Sequence, residues 1–267
     1  MMEKALVILS GGQDSTTVLF LARQLVGPTG EVHAVTFDYG QRHRIELDAA
    51  RKVADLAGVA SHEIVVLGEG VLLGTSPLTD PTAELERYTD AEQMDAVIGD
   101  RRESTFVPMR NALFLTLAAN RAEVLGITDV FLGVCQMDNA NYDDCRQVFI
   151  DATARYINTA LGHDHRGTRE IVLHTPLMLL TKADTVHMAH KLPGCWDALA
   201  YSHTSYDGTY PPTDMNHANV LRADGFERAG LPDPLVLRAW QEGKMDLPTT
   251  ANYSHSARAH AFAEKAK

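Results

Sequence analysis

Cysteine is scarce in this chain: Cys135, Cys145 and Cys195 are the whole complement among 267 residues. Three thiols make neither a disulfide framework nor a four-thiolate metal site, so a reduced, cytoplasmic setting is the simplest expectation. Positive charge is also short, with 24 Lys and Arg against 35 Asp and Glu and a formal charge of −11. That balance argues against a nonspecific electrostatic hold on nucleic acid or anionic lipid, so any phosphate must be gripped locally. No apolar run approaches the roughly 20 residues that cross a bilayer. At the start, Glu3 and Lys4 precede a five-residue apolar run, too short for a signal-peptide core. Neither a membrane nor a direct nucleic-acid partner is expected. What remains, 45% hydrophobic and 22% charged residues, is the composition of one ordinary globular domain with a smaller appendage.

Residues 4–9 (KALVIL) form a continuous apolar run stopped by Ser10-Gly11-Gly12, the pattern of a strand buried on both faces. Val18, Leu19, Leu21, Ala22 and Leu25 then recur at helical spacing, and Gly27-Pro28 ends a helix over 15–26. The alternation continues with strand 31–37, helix 44–58, strand 62–67, helix 108–125, strand 129–134, helix 144–161 and strand 170–174. It predicts an α/β fold, a doubly wound and mostly parallel sheet, over residues 1–191. Two stretches break the rhythm. Residues 68–104 are rich in acidic and turn residues and read as an excursion near the site, with a short helix at 90–98. Residues 192–267 are punctuated by prolines and read as a small helical or irregular appendage, with a weak helix from Ser256 to Ala266. No internal repeat or low-complexity tract is visible.

The hexapeptide Ser10-Gly11-Gly12-Gln13-Asp14-Ser15 lies where a strand ends and a helix begins, where unpaired N–H groups and the helix dipole favour an anion. Gly-Gly alone also suits a tight turn capped by Asp or Ser; the whole hexapeptide in this context favours phosphate. Asp14, which would repel a bare phosphate, makes better sense holding Mg²⁺ or orienting the loop. The loop has neither the Gly-Lys-Ser/Thr of a Walker A motif nor the spacing of a dinucleotide fingerprint.

It resembles the SGGxDS loop of the N-type ATP pyrophosphatases (PP-loop enzymes), which adenylate a carboxylate or carbonyl oxygen and expel pyrophosphate. Further segments resemble the QueC family, the 7-cyano-7-deazaguanine synthases: Thr36-Phe37-Asp38-Tyr39-Gly40-Gln41-Arg42-His43, Phe106-Val107-Pro108-Met109-Arg110-Asn111, Gly133-Val134-Cys135, Tyr142-Asp143-Asp144-Cys145-Arg146, Thr175-Pro176-Leu177 with Lys182, Tyr206-Asp207-Gly208 and Leu221-Arg222-Ala223. The likeness runs in order over about residues 4–235. It implies conversion of 7-carboxy-7-deazaguanine and ammonia, with ATP and Mg²⁺, first to an amide and then to the nitrile.

By this resemblance Ser10, Gly11, Gly12, Gln13, Asp14 and Ser15 bind ATP phosphates, and Val35, Thr36 and Phe37 meet the adenine. Arg110 and Lys182, with Asp14, are the catalytic candidates. A lone Lys at a helix start is ordinarily a solvated charge, and Arg110 alone reads either as a surface cap or as a ligand contact; the resemblance turns both toward the triphosphate. Asp138, Tyr142, Asp144 and Arg146, beyond a strand's carboxyl end, are base-recognition candidates, with Tyr39, Gln41 and Arg42 as further substrate contacts. Cys145 reads as a packed residue rather than a nucleophile.

The chain also departs from the family. Four cysteines that close a zinc site there are Ser205, Thr213, Asn216 and Asn219 here, so zinc is not expected. His203, Asp214 and His217 lie close in sequence, but a solvated loop is their preferred reading. Asn141, Asp143 and Met109 stand where the family has Gly, Pro and Gly. These changes are expected to alter the substrate loop's shape and to narrow the room near the activated group. They keep open two alternatives, a ligase that stops at the amide or joins the carboxylate to another amine such as a protein N-terminus in a phage DNA-modification or antiphage pathway, and an inactive binding subunit. Sulfur transfer to tRNA fits less well, for want of paired redox cysteines and a basic tract. The resemblance implies a homodimer.

Overall fold

The computed structural model describes residues 2–80, 82–137 and 141–256. Strand β1 (Lys4–Ile8) is followed by α1 (Gln13–Val26), β2 (Glu31–Asp38), α2 (Ile45–Ala57) and β3 (Ser61–Val66). After a long excursion containing α3 (Ala91–Ile98) come α4 (Arg110–Leu125), β4 (Asp129–Phe131), a 3-10 turn at Asp143–Cys145, α5 (Gln147–Leu161), the single-turn α6 (His163–Arg166) and β5 (Val172–His174). Helices α7 (Lys182–Lys191), α8 (Cys195–Leu199), α9 (His217–Arg228) and α10 (Pro234–Gln241) complete it, with a 3-10 turn at Ala251–Tyr253. Among the described residues no helix is long and apolar enough to cross a membrane.

The five strands lie in the order β3-β2-β1-β4-β5, and every pairing is parallel. Alternation along β1 explains why both faces are dry. Ala5 and Val7, with Leu9 beyond the strand, pack against Val18, Leu19 and Ala22 of α1 and the apolar face of α2, while Leu6 points the other way among Leu115, Ala118 and Ala122 of α4 and Ile150 and Ile157 of α5. The chain winds outward from β1 to β3, then crosses to β4 on β1's other side. The carboxyl ends of β1 and β4 therefore flank the switch point where open α/β sheets bind ligands.

The α/β expectation holds, with corrections at element ends. Helix α4 starts at Arg110 because Met109 has φ 64° and cannot belong to it. Strand β4 stops at Phe131, after which the Cys135 thiol and the Gln136 amide bond to Leu180 O and Met178 O. The expected helix 144–161 is a 3-10 turn followed by α5, broken at Arg146, whose backbone is extended. The short helix of the excursion is present as α3, capped by the Asp90 carboxylate accepting from Gln93 N at 2.8 Å. Beyond residue 192 the chain is more ordered than its prolines suggest: Cys195, Ala198 and Leu199 of α8 and Phe226 of α9 sit in the same core as β1 and α1. The helix expected from Ser256 to Ala266 lies almost wholly outside the described residues.

Candidate active site

A cavity of about 300 Å³ opens at the switch point. Its floor is the loop after β1. Gly11 has φ +87°, and a Cβ there would sit 2.4 Å from Glu46 O, so only glycine lets the loop turn under α2. Ser10 Oγ and Ser15 Oγ are 3.0 Å apart, Ser10 N donates to Ser15 Oγ at 3.2 Å and Gly12 N to Ser10 Oγ at 3.3 Å, so the two hydroxyls pin the loop to the first turn of α1. Among the described residues no side chain caps α1, which leaves its dipole directed at the cavity. Across the loop, Gly133 follows β4 so closely that a Cβ would meet the Asp14 carbonyl carbon at 2.9 Å.

Lys182, at the first position of α7, reaches back to Asp14 with Nζ 2.8 Å from Oδ2. A capping box fixes the start of that helix, Thr181 accepting from Asp184 N and the Asp184 carboxylate accepting from Thr181 N. Its stem passes Gly225 of α9, where a Cβ would lie 2.4 Å from Lys182 Cγ.

The opposite wall is built around Arg110. Its guanidinium is within hydrogen-bonding reach of the Tyr39 hydroxyl and feels Tyr206, Tyr142 and Asp144, and among the described residues no carboxylate forms an ion pair with it. Burial alone would lower its pKa, but the surrounding oxygens outweigh burial and raise it, so the charge is permanent. Burial pushes the Tyr39 phenol up to about 12 and raises Tyr206 and Tyr142 as well, so all three are neutral donors. Tyr142 is fixed from behind by Glu103, which is 2% exposed and accepts from Tyr142 Oη at 3.1 Å and Thr105 N at 2.7 Å; Thr105 Oγ1 bonds both groups. Phe37 and Phe114 stack with centroids 4.3 Å apart on the cavity wall.

Ser10, Gly12, Gln13, Asp14, Ser15, Phe37, Tyr39, Arg110, Tyr142, Arg146 and Lys182 thus all meet one cavity. Several candidates do not line it. Val35 is buried in the sheet, and Thr36 spends its hydroxyl on Leu9 O and His62 Nε2, so of the proposed adenine contacts only Phe37 reaches the space. Arg42 is exposed and donates to Ala83 O. Gln41 is buried and acts one layer back, its Nε2 donating to Glu46 at 2.8 Å, and Glu46 lines the cavity. Asp144 is buried behind the wall, where desolvation raises its pKa against the pull of Arg110. Asp138 lies outside the described residues.

Sequence reasoning missed Glu103, Thr105, His43, Glu46, Thr204 and Tyr206. His43 and Tyr206 stood in quoted motifs, which was the available signal.

Two expected changes of shape also need correction. Met109 does not narrow the cavity: it is 69% exposed and outside the lining. Asn141 takes φ 53°, a left-handed conformation open to glycine and tolerated by Asn, and its amide donates to Gly99 O and Arg101 O. Asp143, in place of Pro, pairs with Arg102 on the same excursion.

At the positions of the family's zinc cysteines the donor chemistry does not fit that metal. Ser205 Oγ donates to Asp214, and the Asn216 and Asn219 side-chain amides donate to Asp207 Oδ2 and Asp214 O, each at 3.1 Å. Hydroxyl and amide N–H groups facing carboxylate and carbonyl oxygens offer no thiolate or imidazole lone pair. His203 Nε2 is 3.0 Å from Ser205 O, which makes it a donor too, and among the described residues no three His, Cys, Asp or Glu side chains converge on a metal-sized space.

Comparison with known proteins agrees with this geometry. The family model described as "Queuosine biosynthesis protein QueC" matches residues 4–230. The chain is 49% identical over 236 residues to a 7-cyano-7-deazaguanine synthase of Gloeobacter violaceus, covering 88% of this chain and 96% of that one. A synthase of the same name from Chromobacterium violaceum is 46% identical over 242 residues, 91% of this chain and 97% of its own length. Among solved structures, a U34-tRNA thiolase, NcsA, from Methanococcus maripaludis (TM-score 0.40, 14% identity, covering 92% of this chain and 75% of that one) and an NMN synthetase from Francisella tularensis (TM-score 0.41, 14% identity, 97% and 86%) are similar at a distance. A family match spanning most of the sequence, on a parallel sheet whose switch point carries the SGGQDS loop, makes this chain a member of the QueC family.

Proposed function

We propose that the chain converts 7-carboxy-7-deazaguanine and ammonia to 7-cyano-7-deazaguanine at the expense of ATP, releasing AMP and pyrophosphate. The observation that carries this reading is Arg110: a permanently charged guanidinium that forms no ion pair with a carboxylate among the described residues, on the same cavity as the Ser10–Ser15 loop and Lys182. Such a cation awaits an anionic ligand, and a planar carboxylate is what a guanidinium fork fits best.

In this reading the backbone of Ser10–Ser15 and the two serine hydroxyls cradle the triphosphate, with the adenine beside Phe37 and Phe114. Arg110 and the neutral phenols hold the substrate carboxylate toward the α-phosphorus. A carboxylate oxygen attacks there and the bond to pyrophosphate breaks, while Lys182, oriented by Asp14, meets the charge growing on the departing group. Ammonia then adds to the acyl carbon, AMP leaves, and loss of a proton gives the amide. The amide oxygen is adenylated by a second ATP, and loss of AMP and two protons gives the nitrile. The carboxylate of Asp14 and the serine hydroxyls are hard oxygen donors that suit a magnesium ion carried in with the triphosphate, whose chemistry is to neutralise phosphate charge.

The test is mass spectrometry of a reaction containing purified protein, the carboxylic acid, ATP, Mg²⁺ and ammonium, with AMP and pyrophosphate followed in parallel. The nitrile with about two AMP per product is expected from the two adenylations. An accumulating amide overturns the nitrile assignment, and no AMP release overturns the enzyme reading for this acid. A homodimer is part of the proposal and is checked by light scattering on the same sample.

A further inference from the structure

Arg87, from the excursion, crosses to residues 120 positions later and grips Asp207 with both ends of its guanidinium, Nη1 to Oδ2 at 2.5 Å and Nη2 to Oδ1 at 2.6 Å. Asp207 Oδ2 also accepts from Asn216 Nδ2, which reaches Ser205 Oγ at 3.4 Å, and Ser205 donates to Asp214. Asp214 Oδ1 lies 3.9 Å from Arg87 Nη1 and accepts from Asn216 N at 3.4 Å. The cluster is closed: two carboxylates, a serine and an asparagine share one cation. Beside it Tyr88 N donates to Met215 O at 2.8 Å, and Tyr88, Met94 and Ile98 pack on Val220.

We propose that the Arg87–Asp207 fork, with Ser205, Asp214 and Asn216, stands in place of a metal ion and ties residues 203–222 to the excursion, holding Tyr206, His217 and Leu221 in the cavity wall. Two of the four positions that carry zinc ligands in the family, Ser205 and Asn216, have hydrogen-bonding side chains in this network, a third, Asn219, donates to the Asp214 carbonyl beside it, and the positive charge at the centre is a guanidinium. A bidentate fork has the directionality needed to replace a coordination bond, whereas a monodentate ammonium does not. The segment it fixes supplies Tyr206, one of the oxygens around Arg110. Loosening the tie therefore reaches the site through the 203–222 segment, since none of the five residues of the network belongs to the Ser10–Ser15 loop.

The purified full chain tests this by elemental analysis, by melting with and without a strong zinc chelator, and by hydrogen exchange of Arg87→Ala and Arg87→Lys. Expected are less than about 0.1 zinc per chain and a Tm unmoved by chelator, since structural zinc otherwise contributes folding energy outright. Arg87→Ala should lower Tm by about 2–4 °C and speed exchange in 205–221 roughly tenfold, leaving β1 and β2 amides unchanged. Arg87→Lys should recover less than half of either effect. Should the carboxylic acid prove to be the substrate, its KM rises in Arg87→Ala with kcat little changed. One zinc per chain with chelator-induced melting overturns the proposal, and so does exchange in 205–221 that is indifferent to Arg87. The metal and exchange readouts do not depend on the reaction proposed above, so failure of either reading is seen separately.

Discussion

Met109 holds a backbone conformation that costs an ordinary side chain, φ 64° with ψ 6°, at the residue preceding α4. Nothing repays that strain through packing, because the side chain is mostly in solvent. Met109→Gly should therefore raise stability by about 0.5–1 kcal/mol, the left-handed penalty less glycine's larger unfolded-state entropy. The check is a urea titration in which the midpoint rises at constant slope; a fall would show that the methionine makes contacts of its own. Asn141, in the same region of backbone space, is different: its two amide hydrogen bonds to the excursion give the conformation a use. A sequence shows that glycine has been replaced at both positions, but whether the substitute is strained or anchored depends on partners about 40 residues away.

Elements made of contiguous residues were legible, and those made by approach were not. The Ser10–Ser15 loop announces itself because strand, glycines and helix start are adjacent in sequence, and Arg110 stands in the contiguous segment Phe106–Asn111, whose family resemblance singles it out. Thr36, by contrast, points its hydroxyl at Leu9 O because β1 lies beside it, a fact of sheet order that its own segment does not contain. Gly225 is a sharper case. In sequence it is a poor helix former within α9, while in the structure it is the gap that admits the Lys182 stem. Gly225→Ala should improve the helix's intrinsic propensity yet displace Lys182 from Asp14, for an overpacking cost of about 1–3 kcal/mol. If that cost falls on the placement of Lys182, AMP release drops roughly 5- to 150-fold while circular dichroism is unchanged. Unaltered turnover would show that Lys182 reaches its partner by another route.

Over the whole molecule, the appendage meets the Ser10–Ser15 loop beside a buried titrating group. His203 N donates to Gly11 O at 2.8 Å, and burial lowers the His203 imidazole to about 4, assisted by His43 and Arg222 and opposed by Ser205 O and Glu46. The unfolded chain binds this proton near pH 6.5 and the folded chain resists it until about 4, so stability is lost as pH falls through that window. The loss is on the order of 3 kcal/mol for this group. Urea midpoints measured from pH 7 to pH 4.5 should fall, and His203→Gln should flatten the slope; an unchanged slope removes His203 from the explanation. Asp207 acts in the same direction at lower pH, because Arg87 holds its carboxyl below the usual range and that contribution disappears as pH drops through the depressed value.

The sheet is complete at His174, yet His203, Thr204, Tyr206, His217 and Leu221 of the cavity wall come later in the chain. During synthesis, which delivers the N-terminal part first, all five strands emerge from the ribosome before the segment that roofs the Ser10–Ser15 loop. A nascent chain can thus hold all five strands while its cavity still lacks a side, and the core on the α1 face closes only when Cys195, Leu199 and Phe226 arrive. A single cut between Ser205 and Asn216 would leave all five strands on one piece and separate Tyr206 from the chain that carries the sheet or from its neighbours His217 and Leu221 in the wall.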